Sequence, residues 1–149
     1  MNILAIDPGT HCGWASCVNG QVESGVQHFE LGRGDSPGVR FMHFRSWLEL
    51  MMLRISPELV IYERPLLFGG YATDLLVGFV TRIQEECARR GIEHQAVQVS
   101  TLKKAATGSG RAGKAAMIKA ASGYFGQEIK DDNEADALML LWIAMEEHN

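Results

Sequence analysis

Residues 1–10 read MNILAIDPGT: an apolar run of strand length ends in a carboxylate at Asp7 and is broken at once by Pro8 and Gly9. Such a run is typical of a buried strand. An ionised carboxylate at the end of a buried strand needs a partner, because an unpaired charge away from water is costly. We therefore expect the Asp7 carboxylate to interact with a metal ion or a phosphate-bearing ligand.

Two further carboxylates stand in comparable settings. Glu63 ends a second apolar run that starts at Leu59. Asp136 lies between two alanines near the start of a predicted helix, where an unpaired charge would also be unfavourable. If the strands that end in Asp7 and Glu63 pair in parallel, their carboxyl ends are neighbours and the two side chains lie side by side.

Apolar periodicity and turn residues predict an α/β fold. A three-strand antiparallel meander, with Asn19-Gly20 as its second turn, is followed by two strands that alternate with helices. The strands are predicted at residues 2–7, 13–18, 21–31, 59–63 and 94–99. The helices are predicted near residues 37–56, 72–90, 112–124 and 131–147, with a short helical turn capped by Ser100-Thr101. We expect one domain over residues 1–149: a mixed five-stranded sheet with helices on both faces.

The first predicted helix has a clear start signal and an apolar face. Ser36 is the expected N-cap, with Pro37 at the first helical position. Methionine and aromatic residues at helical spacing indicate a core-facing stripe rather than a cofactor pocket. The stripe contains Val39, Phe41, Met42, Phe44, Trp47, Leu48, Met51 and Met52.

Bulk properties restrict the class of protein. The chain has 149 residues, 46% of them hydrophobic, and a net charge of −4. It holds no run of 18 apolar residues, which excludes a typical membrane helix, and its N-terminus lacks the pattern of a signal peptide. Cys12, Cys17 and Cys87 are odd in number and lack zinc-site spacing, so we expect reduced thiols in a cytoplasmic protein.

Charge is unevenly distributed along the chain. Residues 100–120 contain basic side chains and no acidic one: Lys103, Lys104, Arg111, Lys114 and Lys119. A local basic patch can bind phosphates whatever the total charge, although a solvated basic face is the alternative interpretation.

The carboxylates predict the chemistry of the site. Three converging carboxylates repel one another unless a cation lies between them. Oxygen ligands favour Mg²⁺, or Mn²⁺ as its substitute, over zinc. Two such ions about 4 Å apart can activate a water and stabilise the leaving oxygen of a phosphodiester. The sequence has no Walker loop, no dinucleotide glycine fingerprint and no His-Cys constellation for covalent catalysis.

Four motifs, in this order, resemble the RuvC family of Holliday junction resolvases in the RNase H-like superfamily. They are Asp7-Pro8-Gly9-Thr10 with Gly13-Trp14-Ala15, then Glu63-Arg64-Pro65, then the lysine-bearing segment 102–114, then Glu134-Ala135-Asp136-Ala137-Leu138. The resemblance covers nearly the whole chain and implies that residues 1–149 form a single RNase H-like nuclease domain.

The resemblance implies a crossover junction endodeoxyribonuclease: a homodimer that binds a four-way DNA junction and nicks two opposed strands with Mg²⁺. It implies that Asp7, Glu63 and Asp136 are metal ligands for two ions per site. It also implies that Lys103 and Lys114 lie near the scissile phosphate or the DNA backbone, where their ammonium groups can offset developing negative charge.

The resemblance further implies DNA contacts outside the carboxylate site. Lys104 and Arg111 belong to the same basic segment and are expected to contact DNA. An aromatic side chain after the second motif is expected to wedge or stack at the crossover. Phe68 and Tyr71 are the candidates, and a place in the core is the alternative for either.

One departure from the family pattern concerns the fourth metal ligand. The family usually has an acid or a histidine three residues before the last aspartate, where this chain has Asn133. An amide oxygen can bind Mg²⁺ but adds no charge. Asp132, one turn before Asp136, is the alternative ligand. The chain also leaves room for a phage-type variant with looser junction or sequence preference.

Three functions follow from these patterns. The first is resolution of four-way junctions by paired nicks. The second is a broader branched-DNA nuclease, or another RNase H-like nuclease. The third is a junction-binding protein with weak catalysis, for which Asn133 is the sequence support.

Overall fold

The computed structural model describes residues 1–64 and 70–148, which contain a five-stranded sheet and five helices. The strands are β1 (Ile3–Asp7), β2 (His11–Val18), β3 (Gln21–His28), β4 (Leu59–Arg64) and β5 (Glu93–Gln98). The helices are α1 (Gly38–Ile55), α2 (Tyr71–Arg90), α3 (Val99–Thr107), α4 (Lys114–Phe125) and α5 (Asp132–Glu147).

The strand order is β3-β2-β1-β4-β5. β1, β2 and β3 pair antiparallel, whereas β4 pairs parallel to both β1 and β5. Asn19 and Gly20 form the turn between β2 and β3 with φ values of 51° and 78°, as the Asn-Gly hairpin signal predicts. The predicted mixed sheet is therefore confirmed.

The sheet separates two apolar cores, because successive strand residues point to opposite faces. Leu4 and Ile6 of β1 pack with α1 and α2. Ile3 and Ala5 pack on the other face with α3, α4 and α5. Asp7 follows Ile3 and Ala5 in this alternation, so its side chain lies on the same face of the sheet, which α5 covers.

The start of α1 corrects two predictions. Pro37, not Ser36, occupies the N-cap position, and Ser36 takes part only through its carbonyl oxygen, which accepts a hydrogen bond from the N–H of Val39 (3.1 Å). Met42 is 67% exposed, because it lies about 200° around the helix from the buried Phe44. The helix otherwise buries the predicted apolar side. Its last residue is Ile55, and Ser56, the C-cap residue, has a left-handed backbone conformation.

Other element boundaries shift by a few residues. β3 ends at His28 rather than residue 31. α3 begins at Val99, directly after Gln98, the last residue of β5. Ser100-Thr101 therefore lies inside the helix and does not cap it. α4 begins at Lys114 instead of residue 112. Within the described ranges, no helix is long and apolar enough to cross a membrane.

Gly13 allows α5 to contact the sheet. Gly13 lies opposite Asp7 in the β1–β2 pair. A β-carbon at this position would overlap the backbone carbonyl group of Asn133 and would lie 3.0 Å from the amide nitrogen of Glu134. The first turn of α5 therefore packs directly on the β2 backbone, which only glycine permits.

We predict that Gly13→Ala lowers the free energy of unfolding by about 2 kcal/mol or more, because the methyl group must push the first turn of α5 away from β2. Urea denaturation measures this loss. The matched control is Gly123→Ala: its added β-carbon meets open space in α4, and alanine is favoured over glycine in a helix. An unchanged urea midpoint in Gly13→Ala would contradict the close contact.

Candidate active site

Three carboxylates converge at one edge of the sheet. Asp7 ends β1, Glu63 is the penultimate residue of β4, and Asp136 lies in the second turn of α5. One oxygen from each carboxylate lies within 4.8 Å of the other two, and all three residues are half-buried. The structure thus brings together the three acids that the sequence singled out.

Strand register explains the neighbouring positions of Asp7 and Glu63. Ile6 lies opposite Tyr62 in the parallel β1–β4 pair, so the next residues along the two strands are neighbours. Asp7 and Glu63 also share a sheet face, since Ile6 and Tyr62 both point into the opposite core. Both carboxylates therefore face α5.

The N-terminus of α5 is held by a side-chain cap. The Asp131 carboxylate accepts hydrogen bonds from the N–H groups of Asn133 (2.8 Å) and Glu134 (3.1 Å). Asp131 is thus the N-cap residue of α5, and its negative charge complements the helix N-terminus. Ala135 and Ala137 are fully buried, which orients Asp136 between them toward the site.

The pKa values of all three carboxyl groups are raised when no cation is bound. Burial is the largest cause that raises the pKa of Asp7 well above its usual range, and the charges of Glu63 and Asp136 raise it further. Burial, followed by the charges of Glu63 and Asp132, raises the pKa of Asp136 to about 7. Burial also raises the pKa of Glu63, although its hydrogen bond with Asp7 and the charge of Lys103 oppose that shift.

The Glu63 carboxylate suits a divalent cation. Its Oε2 atom is buried and has no hydrogen-bond partner among the described residues. A buried oxygen without a donor is unfavourable, and a cation would satisfy it. The donor set consists of carboxylate oxygens, which hard ions such as Mg²⁺ and Mn²⁺ prefer. The residues present therefore fit the metal that the sequence predicts.

Two of the predicted lysines border the site. A cavity of about 190 Å³ is lined by Glu63, Val99, Lys103, Gly113, Lys114, Met117, Asp132 and Asp136. The positive charge of Lys103 acts on Glu63 and Asp136 and partly opposes the rise in the pKa of both carboxyl groups. The Lys114 ammonium group is largely exposed and lies 3.8 Å from the Asp132 carboxylate. The cavity therefore combines acidic ligands with two cationic side chains.

Asp132 and Asn133 occupy different positions. Asp132 lines the cavity, and its charge raises the pKa of Asp7 and Asp136. The backbone of Asn133 instead packs on Gly13 of β2. Of the two residues proposed as a fourth ligand, Asp132 is the one that borders the cavity.

The remaining predicted DNA contacts lie at the surface or outside the described residues. Lys104 and Arg111 are exposed. Tyr71 is 65% exposed at the start of α2, and its hydroxyl accepts a hydrogen bond from Arg40 (3.2 Å). A core position is therefore wrong for Tyr71. Phe68 lies outside the described residues.

One further contact orients α5 and has no signal in the sequence. The Ser24 hydroxyl of β3 donates a hydrogen bond to the Glu134 carboxylate (2.6 Å). The Glu134 carboxylate is thus directed toward β3 and away from the carboxylate site. The partner of Glu134 could not be found from sequence, because Ser24 is 110 residues away and has no distinguishing pattern. Gly13, a glycine inside a strand, was the sequence signal for the nearby contact between β2 and α5.

Comparison with solved structures identifies the fold. The chain superposes on the Thermus thermophilus RuvC structure with a TM-score of 0.75 over 98% of this chain and 97% of that one, at 20% sequence identity. The chain has the RuvC fold. This confirms the RNase H-like architecture expected from the sequence, although the sequence matches no protein-family model and no curated protein.

Two further structures share the RuvC fold. T. thermophilus RuvC in complex with a Holliday junction substrate matches with a TM-score of 0.74 at 21% identity, over 94% of this chain and 90% of that one. The yeast mitochondrial Holliday junction resolvase Ydc2 matches with a TM-score of 0.61 at 12% identity, over 98% of this chain and 82% of that one. The RuvC fold here therefore spans nearly the whole chain.

The raised pKa values predict how stability depends on pH without metal. A carboxyl group whose pKa is raised by folding contributes most stability below its unfolded pKa of about 3.9, and this contribution is lost as pH rises toward the folded value. For Asp136 the folded value is about 7. In EDTA, the free energy of unfolding should therefore fall as pH rises from about 4 to about 7.

Chemical denaturation of the wild type, Asp136→Asn and Glu93→Gln at several pH values tests this prediction. Asp136→Asn should flatten the decline and make the metal-free protein more stable than wild type at the alkaline end, since the amide removes a repelled charge. Glu93 is exposed at the opposite end of the parallel strands, so its variant should behave like wild type. Equal pH profiles for all three proteins would contradict the electrostatic description of the site.

Proposed function

We propose that the chain is a metal-dependent, structure-selective DNA endonuclease that resolves four-way junctions by paired nicks. One observation carries the proposal: Asp7, Glu63 and Asp136 converge within 4.8 Å at one edge of a RuvC fold. A structural neighbour at 21% identity is RuvC in complex with a Holliday junction substrate, which supports branched DNA as the partner. In this proposal, residues 1–149 act as one nuclease domain.

The three carboxylates are the proposed ligands of Mg²⁺, with Mn²⁺ as its substitute. When bound, a pair of such ions supplies activation of a water molecule and stabilisation of the leaving oxygen. The protein contributes the position of the ligands. Asp7 and Glu63 are fixed by strand pairing, and Asp136 is fixed by the capped helix that packs on Gly13.

Lys103 is the proposed electrostatic catalyst. It lies in the cavity with Glu63 and Asp136, and its position comes from α3, which follows β5 directly. An ammonium group there can stabilise the negative charge that develops on the phosphate during cleavage. Lys114 adds a second cation at the rim of the cavity, 3.8 Å from the Asp132 carboxylate.

Asp132 is the proposed fourth acidic residue, in preference to Asn133. Its carboxylate borders the cavity, whereas the first turn of α5 uses the Asn133 backbone for packing. A shift of this role by one residue keeps a negative charge one helical turn from Asp136. With Asp132 in this role, the site can still bind a second metal ion although Asn133 replaces the acid or histidine of the family pattern.

The DNA surface in this proposal extends from the carboxylate edge over the basic segment. Lys104 and Arg111 contact the phosphate backbone, whose negative charge dominates the affinity of DNA-binding proteins. The exposed ring of Tyr71, or that of Phe68, stacks on a base at the crossover. A homodimer supplies the two sites that paired nicks require, and sedimentation with and without DNA measures this assembly.

We predict that Asp7→Asn lowers the cleavage rate of a labelled four-way junction by about 100-fold or more, because it removes a charged ligand. Glu93→Gln, an acid-to-amide change at the opposite edge, should leave the rate unchanged. Wild type should cut with Mg²⁺ but not in EDTA, and should prefer the junction over linear duplex and forked DNA.

The same assay distinguishes the alternatives. Paired symmetric nicks that require Mg²⁺ and Asp7 support resolution of junctions. Equal cutting of forks and junctions indicates a broader branched-DNA nuclease. Tight binding to the junction without cleavage in Mg²⁺ or Mn²⁺ indicates a binding protein. Equal binding and cleavage of the four-way junction and the linear duplex would overturn the proposal.

A further pair of variants tests the fourth ligand. Asp132→Asn should lower the cleavage rate by about 10-fold or more and raise the Mg²⁺ concentration needed for half-maximal activity, because one charge leaves the cavity. Asn133→Ala should have a smaller effect on both quantities. A larger loss in Asn133→Ala than in Asp132→Asn would assign the ligand to Asn133.

A further inference from the structure

Two histidines and a glutamate converge at the end of the β2–β3 pair. His11 and His28 lie directly opposite each other in the register. Their Nδ1 atoms are 2.7 Å apart, and the Glu30 Oε1 atom lies 3.8 Å from the His11 Nδ1 atom. One ligand atom from each residue lies within 4.8 Å of the other two, and all three side chains are exposed.

This cluster is separate from the three carboxylates but shares their edge and face. His11 and Gly13 point to the same side of β2, and Gly13 lies opposite Asp7. Two residues of strand span roughly 7 Å. Phe29 is buried in the core with α1 and α2, so the preceding His28 points to the face of Asp7. The cluster therefore lies beside the proposed nuclease site.

The spacing of the donor atoms fits a tetrahedral ion. Two imidazole nitrogens on one zinc ion, each at 2.0–2.1 Å, lie about 3.3 Å apart. The observed 2.7 Å separation is a hydrogen bond between the two rings. A small outward movement of these exposed rings would replace the shared proton with a metal ion, and the Glu30 carboxylate is near enough to become the third ligand.

The chemistry of the donors selects a different ion from that of the carboxylate site. Imidazole nitrogen suits zinc and neighbouring transition metals, whereas Mg²⁺ prefers oxygen ligands. Three protein ligands also leave one tetrahedral position open. On this face of the sheet, that position is accessible to water or to a phosphate oxygen of DNA.

We propose that His11, His28 and Glu30 form a second metal site, which binds a divalent transition-metal ion of the zinc class with one coordination position open. The site joins the ends of β2 and β3 across their last registered pair. Its existence does not depend on nuclease activity, because the ligands are distinct from Asp7, Glu63 and Asp136.

Metal titration of the tag-free protein tests the site. Co²⁺ is added in excess Mg²⁺, its visible absorption reports the coordination geometry, and Zn²⁺ is then used to displace it. We expect one tetrahedral Co²⁺ per chain, displaced by Zn²⁺ and unaffected by further Mg²⁺. His11→Gln and His28→Gln should each weaken Zn²⁺ binding about 10-fold or more, since each removes a ligand.

The matched control is His43→Gln, which removes another exposed histidine from α1, on the opposite face of the sheet. It should bind Zn²⁺ like wild type. Circular dichroism checks that each variant is folded, and the same titration of Asp7→Asn separates the two sites. Unchanged Zn²⁺ affinity in folded His11→Gln and His28→Gln would overturn the proposal, as would loss of tetrahedral Co²⁺ binding in Asp7→Asn.

Discussion

The packing of the first turn of α5 on Gly13 is the contact on which the candidate site depends. Strand pairing alone brings Asp7 and Glu63 together, but the third carboxylate belongs to a helix that begins more than 120 residues after Asp7. That helix reaches Asp7 because Gly13 leaves room for the Asn133 backbone. The Asp131 cap and the Ser24–Glu134 hydrogen bond then orient the same turn.

This arrangement places electrostatic repulsion inside an otherwise well-packed fold. Apolar cores cover both faces of the sheet, yet the edge between β1, β4 and α5 holds carboxyl groups whose pKa values are raised by burial and by one another. Glu63 also has a buried oxygen without a partner among the described residues. Such features are unfavourable for the metal-free fold and are typical of sites that bind a ligand.

Two donor chemistries lie along one edge of the sheet. The carboxylate cluster is half-buried and suits hard divalent ions, whereas the cluster of His11, His28 and Glu30 is exposed and offers imidazole nitrogen. Lys103 and Lys114 border the first of these clusters. The edge thus combines two cationic side chains with two clusters of side chains that could hold a metal ion.

Local patterns in the sequence determined the elements and the candidate acids, because strand runs, the Asn19-Gly20 turn and the setting of Asp136 are expressed within a few residues. Those patterns could not specify contacts between distant segments. Only tertiary structure decided that Met42 faces solvent, that Asp132 borders the cavity in place of Asn133, and that His11 meets His28 across two strands. These outcomes depend on helix rotation, strand register and helix–sheet packing, which arise when the whole chain is folded.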